Sequence, residues 1–334
     1  MGVPPPQLVA SVRCVWQWQW QRLMDGLARA DADGNFSRRP SQFSGPPSLE
    51  PSPQRPLLIV GRSCPWAHRA WLVWSLRHLA GSIELVVVEP DPQAGRWVFT
   101  EPMLGCQALL DLYALSGASA QQRATVPVLL DAGLPAASGP GPAPRIICNE
   151  SADLVALLNR WPLPAGSTAS PPDFAPPALA AASDAWSKRL QDAVNDGVYR
   201  CGFARNQAAY HRAETALFEV LEVLETSLST DSRPWLCGDQ ITLADLRLFP
   251  TLIRWEQVYA PLFGCSRKPL WLFPALWAWR ARLYGLPGVA ATCFPEAWRR
   301  DYFGALFPLH PSGIVPAGPD LATLVSSSPF APQP

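Results

Sequence analysis

One stretch of the sequence decides the fold: residues 55–90, which read "RPLLIVGRSCPWAHRAWLVWSLRHLAGSIELVVVEP". Residues 55–60 form a short apolar run rich in strand formers, and 82–90 form a second, continuous apolar run. Between them, 64–81 has the length of a helix and carries Pro65 in its first turn. The order predicts a βαβ unit with two parallel strands, the second of them covered on both faces.

The next part of the chain completes an α/β pattern. Segment 91–124 holds "GRWVF", whereas "TVPVLLD" (125–131) and "RIICNE" (145–150) are candidate strands. The Gly- and Pro-rich stretch between these two strands is typical of a loose hairpin loop, and "SADLVALLNR" (151–160) has the apolar spacing of a helix. A βαβ unit, a crossover and a ββα unit, in that order, predict a thioredoxin-like domain.

The second half of the chain is predicted to be helical. Four segments carry apolar residues at three- and four-residue spacing: "SDAWSKRLQDAVNDGVY", "AAYHRAETALFEVLEVLETSLS", "TLADLRLFPTLIRWEQVY" and "PALWAWRARLYGL". Thr242 and Asp245 have the spacing of a capping box at the start of the third segment, and Pro250 is expected to bend it. Near the N-terminus, the alternation of Trp and Gln in "CVWQWQWQRLMDGLAR" predicts a helix that packs on the protein surface.

Composition changes along the chain predict its domain organisation. The stretch before the first strand and the stretch after the first domain are rich in Pro and Ser, as is the end of the chain. The predicted units are an N-terminal arm (1–54), a thioredoxin-like α/β domain (55–160), a linker (161–182), an all-α domain (183–304) and a C-terminal tail (305–334).

Charge, hydropathy and cysteine spacing exclude several classes of protein. The 334 residues include 27 Lys plus Arg and 27 Asp plus Glu without a strong basic block, so nucleic acid is not an expected partner. No apolar run approaches the roughly 20 residues of a membrane span, and the N-terminus lacks the pattern of a secretory signal. The eight cysteines form no CxxC pair. Neither a metal site nor a disulfide framework is therefore expected, and a reducing, cytoplasmic compartment is favoured.

Cys64 is the first candidate for chemistry. It lies at the predicted junction of a strand and a helix N-terminus, where free N–H groups and the helix dipole stabilise an anion. His68 and Arg69 are expected to add to that field. The sequence therefore predicts a reactive thiol whose pKa lies well below the usual value of about 8.5. The alternative is a buried structural cysteine, which is the expected role of the other seven.

Two further motifs lie at element boundaries. In "TVPVL", Pro127 cannot donate to a central ladder, so the motif marks either an edge strand or a cis Val126–Pro127 bond that leaves Val126 free to pair with a peptide-like ligand. In "NES", the residues at the start of a helix are either ordinary caps or a head-group site. In the second case, Ser151 and the helix N-terminus would bind a carboxylate, and Glu150 an ammonium.

Together these motifs resemble the glutathione transferase family, which combines a thioredoxin-like domain with an all-α domain. "SCPWAHRAWL" resembles more narrowly the xi class, the glutathionyl-hydroquinone reductases. Stretches that agree with that class are "GNFSRRPSQF", "GRWVF", "NDGVYRCGFA", "TLADLRLFPTLIRW", "YGLPGVA" and "PSGIVPAGP". The similarity covers about residues 34–320. The motif "CPWA" alone also suits the omega class, whereas the C-terminal stretches are specific to the reductases.

The resemblance implies roles for individual residues. Cys64 would be the nucleophile, and Tyr199 and Tyr302 would line the second-substrate pocket and bind the two oxygens of a hydroquinone. Both tyrosines also have an alternative role in packing at a domain boundary. The residues implied to hold glutathione are Trp97, Arg123, Val126, Glu150 and Ser151.

The implied activity is the removal of glutathione from glutathionyl-hydroquinones, with glutathione as co-substrate and a homodimer as the assembly. Two alternatives stay open on the sequence. An omega-like thiol transferase would deglutathionylate proteins or reduce dehydroascorbate with the same cysteine, and a non-catalytic scaffold would only bind ligands. The chain departs from the class in its 131–144 loop, its Trp-rich N-terminus and its Pro-rich linker.

Overall fold

The fold is known from a computed structural model. It describes residues 5–38, 40–45, 47–49, 52–119, 121–133, 143–164, 166–168, 170–230 and 233–326. Most of the predicted 131–144 loop and the last part of the predicted tail lie outside these residues.

The predicted βαβ unit is confirmed. Strand β1 (Pro56–Gly61) leads into helix α2 (Pro65–Leu76), and strand β2 (Glu84–Asp91) returns parallel to β1. Leu57 pairs with Glu84 at one end of this ladder and Gly61 with Val88 at the other. β1 is buried from Leu57 onward, which fits its run of apolar residues. The short crossover therefore places the N-terminus of α2 at the end of a buried strand.

The remaining strands extend the sheet on both sides. These elements are β3 (Arg96–Met103), β4 (Cys106–Ala108), α3 (Leu109–Leu115), β5 (Val128–Asp131), β6 (Arg145–Cys148) and α4 (Ser151–Arg160). The strand order is β4-β3-β2-β1-β5-β6, and every neighbouring pair except β1 and β2 is antiparallel. Segment 91–124 thus contains β3, β4 and α3, of which only the "GRWVF" part carried a sequence signal.

The prediction that the second strand is covered on both faces is wrong. In β2 only Val88 is buried; the other residues are half-buried, and Glu84 is exposed. α2 packs over β1, whereas α3 packs over β3 and β4. The strand between them therefore receives less cover from either helix.

The second half of the described chain is helical, as predicted. Its helices are α5 (Ala180–Leu190), α6 (Gly197–Gly202), α7 (Gln207–Thr230), α8 (Leu243–Leu252), α9 (Ala260–Phe263), α10 (Pro274–Tyr284), α11 (Pro295–Ala305) and α12 (Leu321–Leu324). The predicted third helix is shorter than its apolar pattern, because α8 ends two residues after Pro250 and a wide turn follows at Trp255–Tyr259. A thioredoxin-like domain followed by an all-α domain is the fold class.

The N-terminal part of the chain is attached to the rest. Helix α1 (Pro6–Leu27) is mostly exposed and buries Met24, as expected for a helix on the surface. After it, Arg38 forms an ion pair with Asp196 (2.8 Å), and the Gly45 N–H donates to Asp153 in α4 (2.7 Å). No helix in the part of the chain described is long and apolar enough to span a membrane.

Asp245 organises the helical region around the start of α8. The predicted capping box is present, with the Thr242 N–H donating to the Asp245 carboxylate at 2.9 Å. The same fully buried carboxylate accepts hydrogen bonds from the Leu236 N–H (3.0 Å) and the Trp279 indole (2.8 Å). One side chain therefore joins α8, α10 and the segment before α8.

We expect Asp245→Ala to lower the free energy of unfolding by about 2–4 kcal/mol, because it removes a cap and leaves buried donors unpaired. Urea denaturation followed by circular dichroism measures this change. Asp239→Ala, at an exposed position nearby, is the control and should change stability by less than about 0.5 kcal/mol. Equal stability of the two variants would contradict this role for Asp245.

Candidate active site

Cys64 is the residue that caps α2. Its N–H donates to the Gly61 carbonyl (3.2 Å), and its sulfur accepts the Ala67 N–H (3.5 Å) in the first turn. The Cys64 thiol also lies 3.4 Å from the Val126 carbonyl, where it donates. The Val126–Pro127 bond is cis, as predicted. The thiol therefore lies between a helix N-terminus and the chain that leads into β5.

The predicted lowering of the Cys64 pKa is wrong for this structure. Removal of water from around the sulfur raises the pKa of the thiol above its usual value. The N–H groups of Ala67 and Trp66 and the charges of Arg254 and Arg38 act in the opposite direction without cancelling this effect. The helix N-terminus was recognisable in the sequence, whereas the loss of water that raises the pKa of the half-buried Cys64 depends on residues that pack around it from distant parts of the chain.

His68 does not supply positive charge to the site. It is buried, and burial together with the neighbouring Arg254 lowers the pKa of its imidazole well below the usual value, so the ring is neutral. Nδ1 lies 2.8 Å from the Arg254 guanidinium, which can only donate, and Nε2 lies 2.8 Å from the Thr292 hydroxyl. The expectation that His68 adds to a cationic field is therefore wrong.

Arg69 connects α2 to the start of α4. Its buried guanidinium donates to the Ser151 hydroxyl (3.3 Å) and to the Gln191 side chain (3.2 Å). Burial lowers the pKa of Arg69 to about 9. Gln191 in turn donates to Asp196, the ion-pair partner of Arg38. Arg69 thus serves a network at the Ser151 end of the site.

Trp66 forms a wall of the site next to Cys64. The guanidinium carbons of Arg38 and Arg69 lie 4.2 Å and 4.4 Å from its ring centroid, and the ring of Tyr199 stacks on it at 6.0 Å. Phe36 packs against Tyr199 at 6.4 Å. Residues of the N-terminal segment therefore line the site, a contribution that the sequence analysis did not foresee.

Three tyrosine hydroxyls meet on the helical side. The Tyr199 and Tyr302 hydroxyls lie 2.5 Å apart, and the Tyr259 hydroxyl lies 3.4 Å from that of Tyr302. Burial raises the pKa of Tyr199 and of Tyr302 well above the usual value, so all their protons are held at neutral pH. When Cys64 is ionised, its negative charge further raises the pKa of Tyr199. Tyr259 ends the segment "TLADLRLFPTLIRWEQVY" but gave no signal of its own.

The other predicted residues differ in their positions. Trp97 in β3 lies against the backbone of Gly61, where a Cβ would come within 2.6 Å of the indole, so this approach requires glycine. Glu150 caps α4 by accepting the Ala152 N–H (3.2 Å), and Ser151 is buried beside it. Arg123 is exposed. The structure brings Val126, Glu150 and Ser151 to the ends of β5 and α4.

Comparison with known proteins identifies the family. The model of the glutathione S-transferase C-terminal domain matches residues 207–282. A glutathionyl-hydroquinone reductase of Sphingobium chlorophenolicum is 32% identical over 312 residues, 89% of this chain and 96% of the relative. This chain belongs to the xi class of the glutathione transferase family. The fold agrees: the xi transferase of Phanerochaete chrysosporium has a TM-score of 0.77 and 32% identity, over 87% of this chain and 95% of that one.

A glutathione-bound structure is among the relatives of this xi-class chain. The glutathione transferase homologue of Escherichia coli, solved with glutathione, has a TM-score of 0.69 and 31% identity, over 88% of this chain and 93% of that one.

The pKa of Cys64 can be measured through its reactivity. Because the pKa is raised, we expect the rate of alkylation by iodoacetamide to increase with pH through a midpoint above that of a free thiol, about 8.5. Mass spectrometry of the Cys64 peptide across a pH series gives this midpoint. A midpoint below 8.5 in the ligand-free protein would contradict the dominance of burial.

Proposed function

We propose that this protein reduces glutathionyl-hydroquinones, with glutathione as co-substrate and Cys64 as nucleophile. The observation that carries the proposal is a single half-buried thiol at a helix N-terminus, close enough to Tyr199 and Tyr259 to affect their pKa values, with the hydroxyls of Tyr199, Tyr259 and Tyr302 grouped together. The similarity to a glutathionyl-hydroquinone reductase over most of both chains supports the same activity.

Glutathione is proposed to bind along the ends of β5 and α4. The Val126 carbonyl, which accepts a hydrogen bond from the Cys64 thiol, is proposed to pair with the peptide backbone of glutathione instead when it binds. Ser151 and the α4 N-terminus suit the γ-glutamyl carboxylate, and Glu150 suits the ammonium. Trp97 and the exposed Arg123 are proposed to contact the rest of the tripeptide.

The first step transfers the glutathionyl group to the enzyme. The Cys64 thiolate attacks the sulfur of the substrate, and a Cys64–glutathione disulfide forms as the bond between sulfur and ring carbon breaks. The electron pair of that bond goes to the ring carbon, which takes up a proton and is thereby reduced. Tyr199 and Tyr302 keep their protons at neutral pH because of burial, so they are suited to donate hydrogen bonds to the ring.

The second step regenerates the thiol. The thiolate of a second glutathione attacks the glutathione sulfur of the mixed disulfide, and the electron pair of the broken bond returns to Cys64. Oxidised glutathione leaves. The thioether sulfur of the substrate and the thiol of one free glutathione end as one disulfide for each ring carbon reduced, so no resolving cysteine is needed.

The tyrosines are proposed to act at one end of the ring. Two hydroxyls 2.5 Å apart converge on a single point, whereas the oxygens of a 1,4-hydroquinone lie at opposite ends. This geometry favours the binding of one substrate oxygen by Tyr199 and Tyr302 together, instead of one oxygen by each. The convergent hydroxyls also favour the hydroquinone activity over protein deglutathionylation, since a glutathionylated cysteine side chain offers no ring oxygen.

Further assignments belong to the same proposal. We infer a cytoplasmic location from the free cysteines, of which all eight are unpaired, and a homodimeric assembly from the class. The thioredoxin-like domain is proposed to span residues 55–160 and to contain the glutathione site. The all-α domain is proposed to span residues 183–304 and to contain the hydroquinone pocket.

The nucleophile is tested by substitution. Cys64→Ser should lower the turnover of glutathionyl-menadiol by more than about a thousandfold, since serine forms no mixed disulfide. Product formation is followed by chromatography, and the Cys64–glutathione adduct by mass spectrometry. Cys106→Ser, which alters a buried cysteine in β4, should retain turnover. Near-normal rates in Cys64→Ser would exclude this mechanism.

The tyrosine pocket is tested by substrate selectivity. Tyr199→Phe and Tyr302→Phe should each slow glutathionyl-hydroquinone turnover by about ten- to a hundredfold, the effect of one lost hydrogen bond in the transition state. Both variants should reduce a glutathionylated peptide at nearly the wild-type rate. Tyr210→Phe is the control, because its hydroxyl bonds the Gly264 carbonyl instead.

Three outcomes of this comparison are informative. Loss of glutathionyl-hydroquinone turnover alone supports the binding of a substrate oxygen by the two tyrosines. Equal loss on both substrates would mean that the tyrosines only support the fold, and no loss on either would favour the omega-like thiol transferase.

A further inference from the structure

Arg254 is a buried cation next to the site. Its side chain has no exposed surface. The guanidinium donates to His68 Nδ1 (2.8 Å), to the Pro250 carbonyl (2.9 Å) and to the Arg62 carbonyl (3.4 Å), all of which are neutral. Over the residues that the structure describes, no carboxylate pairs with it, and its Nε has no hydrogen-bond partner. Since arginine stays charged in proteins, a positive charge lies uncompensated in the interior.

The partners of Arg254 are the two segments that hold Cys64. Arg62 precedes Cys64 by two residues at the end of β1, and the His68 N–H donates to the Cys64 carbonyl (3.0 Å) in the first turn of α2. The guanidinium therefore joins the chain before the cysteine to the helix after it. Such a clasp fixes the distance between the charge and the thiol.

Trp298 in α11 locks the guanidinium in place. The guanidinium carbon lies 4.2 Å from the indole centroid, and the indole N–H donates to the Arg62 carbonyl (3.1 Å) that Arg254 also binds. Cation–π contact in a desolvated setting stabilises the charged side chain without neutralising it. The charge is thus held firmly and stays available to an anion nearby.

The groups that face Cys64 leave Arg254 as the principal cation. Arg38, from the N-terminal segment, also lowers the pKa of the thiol, but its side chain is 41% exposed and paired with Asp196. Tyr199 from α6 and Tyr259 from the turn after α8 are neutral phenols, and His68 is neutral. The remaining contributions come from the N–H groups of α2.

We propose that Arg254 is an electrostatic positioning residue, whose buried charge stabilises the Cys64 thiolate. The Cys64 sulfur carries negative charge before it attacks and again when it leaves the mixed disulfide. The positive charge of Arg254 therefore serves both steps. This inference rests on the proposed role of Cys64 as nucleophile. It assigns the activation of the thiol to the helical half of the chain as well as to α2.

Arg280 in α10 provides a matched control. It too is fully buried, lies 4.2 Å over a tryptophan (Trp277), and donates to carbonyl oxygens, those of Leu252 and Leu324. Unlike Arg254, it pairs with a carboxylate, Glu256 (2.7 Å). Loss of Arg280 should therefore perturb packing to a similar extent without changing the field at Cys64.

The experiment compares the pH profile of Cys64 alkylation in the full-length wild-type protein, Arg254→Gln, Arg254→Lys and Arg280→Gln. We expect Arg254→Gln to raise the midpoint by about one pH unit or more and to slow alkylation at pH 7 by about tenfold. Arg254→Lys, which keeps the charge, should stay near wild type. Arg280→Gln should leave the midpoint unchanged.

Each contrary result overturns the inference. An unchanged midpoint in Arg254→Gln would mean that the charge of Arg254 does not stabilise the Cys64 thiolate. Equal shifts in Arg254→Gln and Arg280→Gln would indicate general loosening of the core. A shift in Arg254→Lys as large as in Arg254→Gln would mean that the clasp matters and the charge does not.

A second pair of variants covers the case in which Arg254→Gln does not fold. His68→Glu retains the guanidinium and its carbonyl partners but places a carboxylate against it, whereas His68→Gln is the neutral counterpart. We expect a higher midpoint in His68→Glu than in His68→Gln, and equal midpoints would overturn the inference.

The readout also separates this inference from the proposed function. Alkylation needs no substrate, so a shifted midpoint in Arg254→Gln would support the role of the charge even if wild type failed to turn over glutathionyl-menadiol. Normal turnover together with an unshifted midpoint would uphold the function and reject the role of Arg254.

Discussion

Helix α2 begins one residue after Cys64, so the cysteine sulfur occupies the place of a capping oxygen. A cap is a demanding position for a thiol, because the helix N-terminus favours an anion while the surrounding protein excludes water. In the ligand-free structure burial has the larger effect on the pKa of Cys64. Reactivity then depends on how much positive potential the rest of the chain supplies.

Both halves of the molecule contact the residues that precede Cys64. The close packing of Trp97 on Gly61 fixes the end of β1 from the sheet side. From the helical side, Arg254 and Trp298 bind the carbonyl of the next residue, Arg62. Both halves of the molecule thus fix the same few residues before Cys64, and small displacements of either half would change the environment of the thiol.

The site is also closed by a part of the chain that precedes the fold. Arg38 contacts both Trp66 and Tyr199, and Phe36 contacts Tyr199, so the N-terminal segment bridges the cysteine side and the tyrosine side of the site. Its ion pair with Asp196 joins the network that leads through Gln191 and Arg69 to Ser151. The proposed glutathione end and hydroquinone end of the site therefore share one set of polar contacts.

The sequence by itself determined what depends on neighbours along the chain. The apolar run of β1, the helix start at Pro65, the capping box of Asp245 and the motif at Val126 are local patterns, and each is found in the structure. Tertiary structure alone decided the electrostatics of the site. It made His68 neutral, raised the pKa of Cys64, and brought Arg254 and Tyr259 to the thiol, because desolvation and long-range charge depend on segments that pack together from distant parts of the sequence.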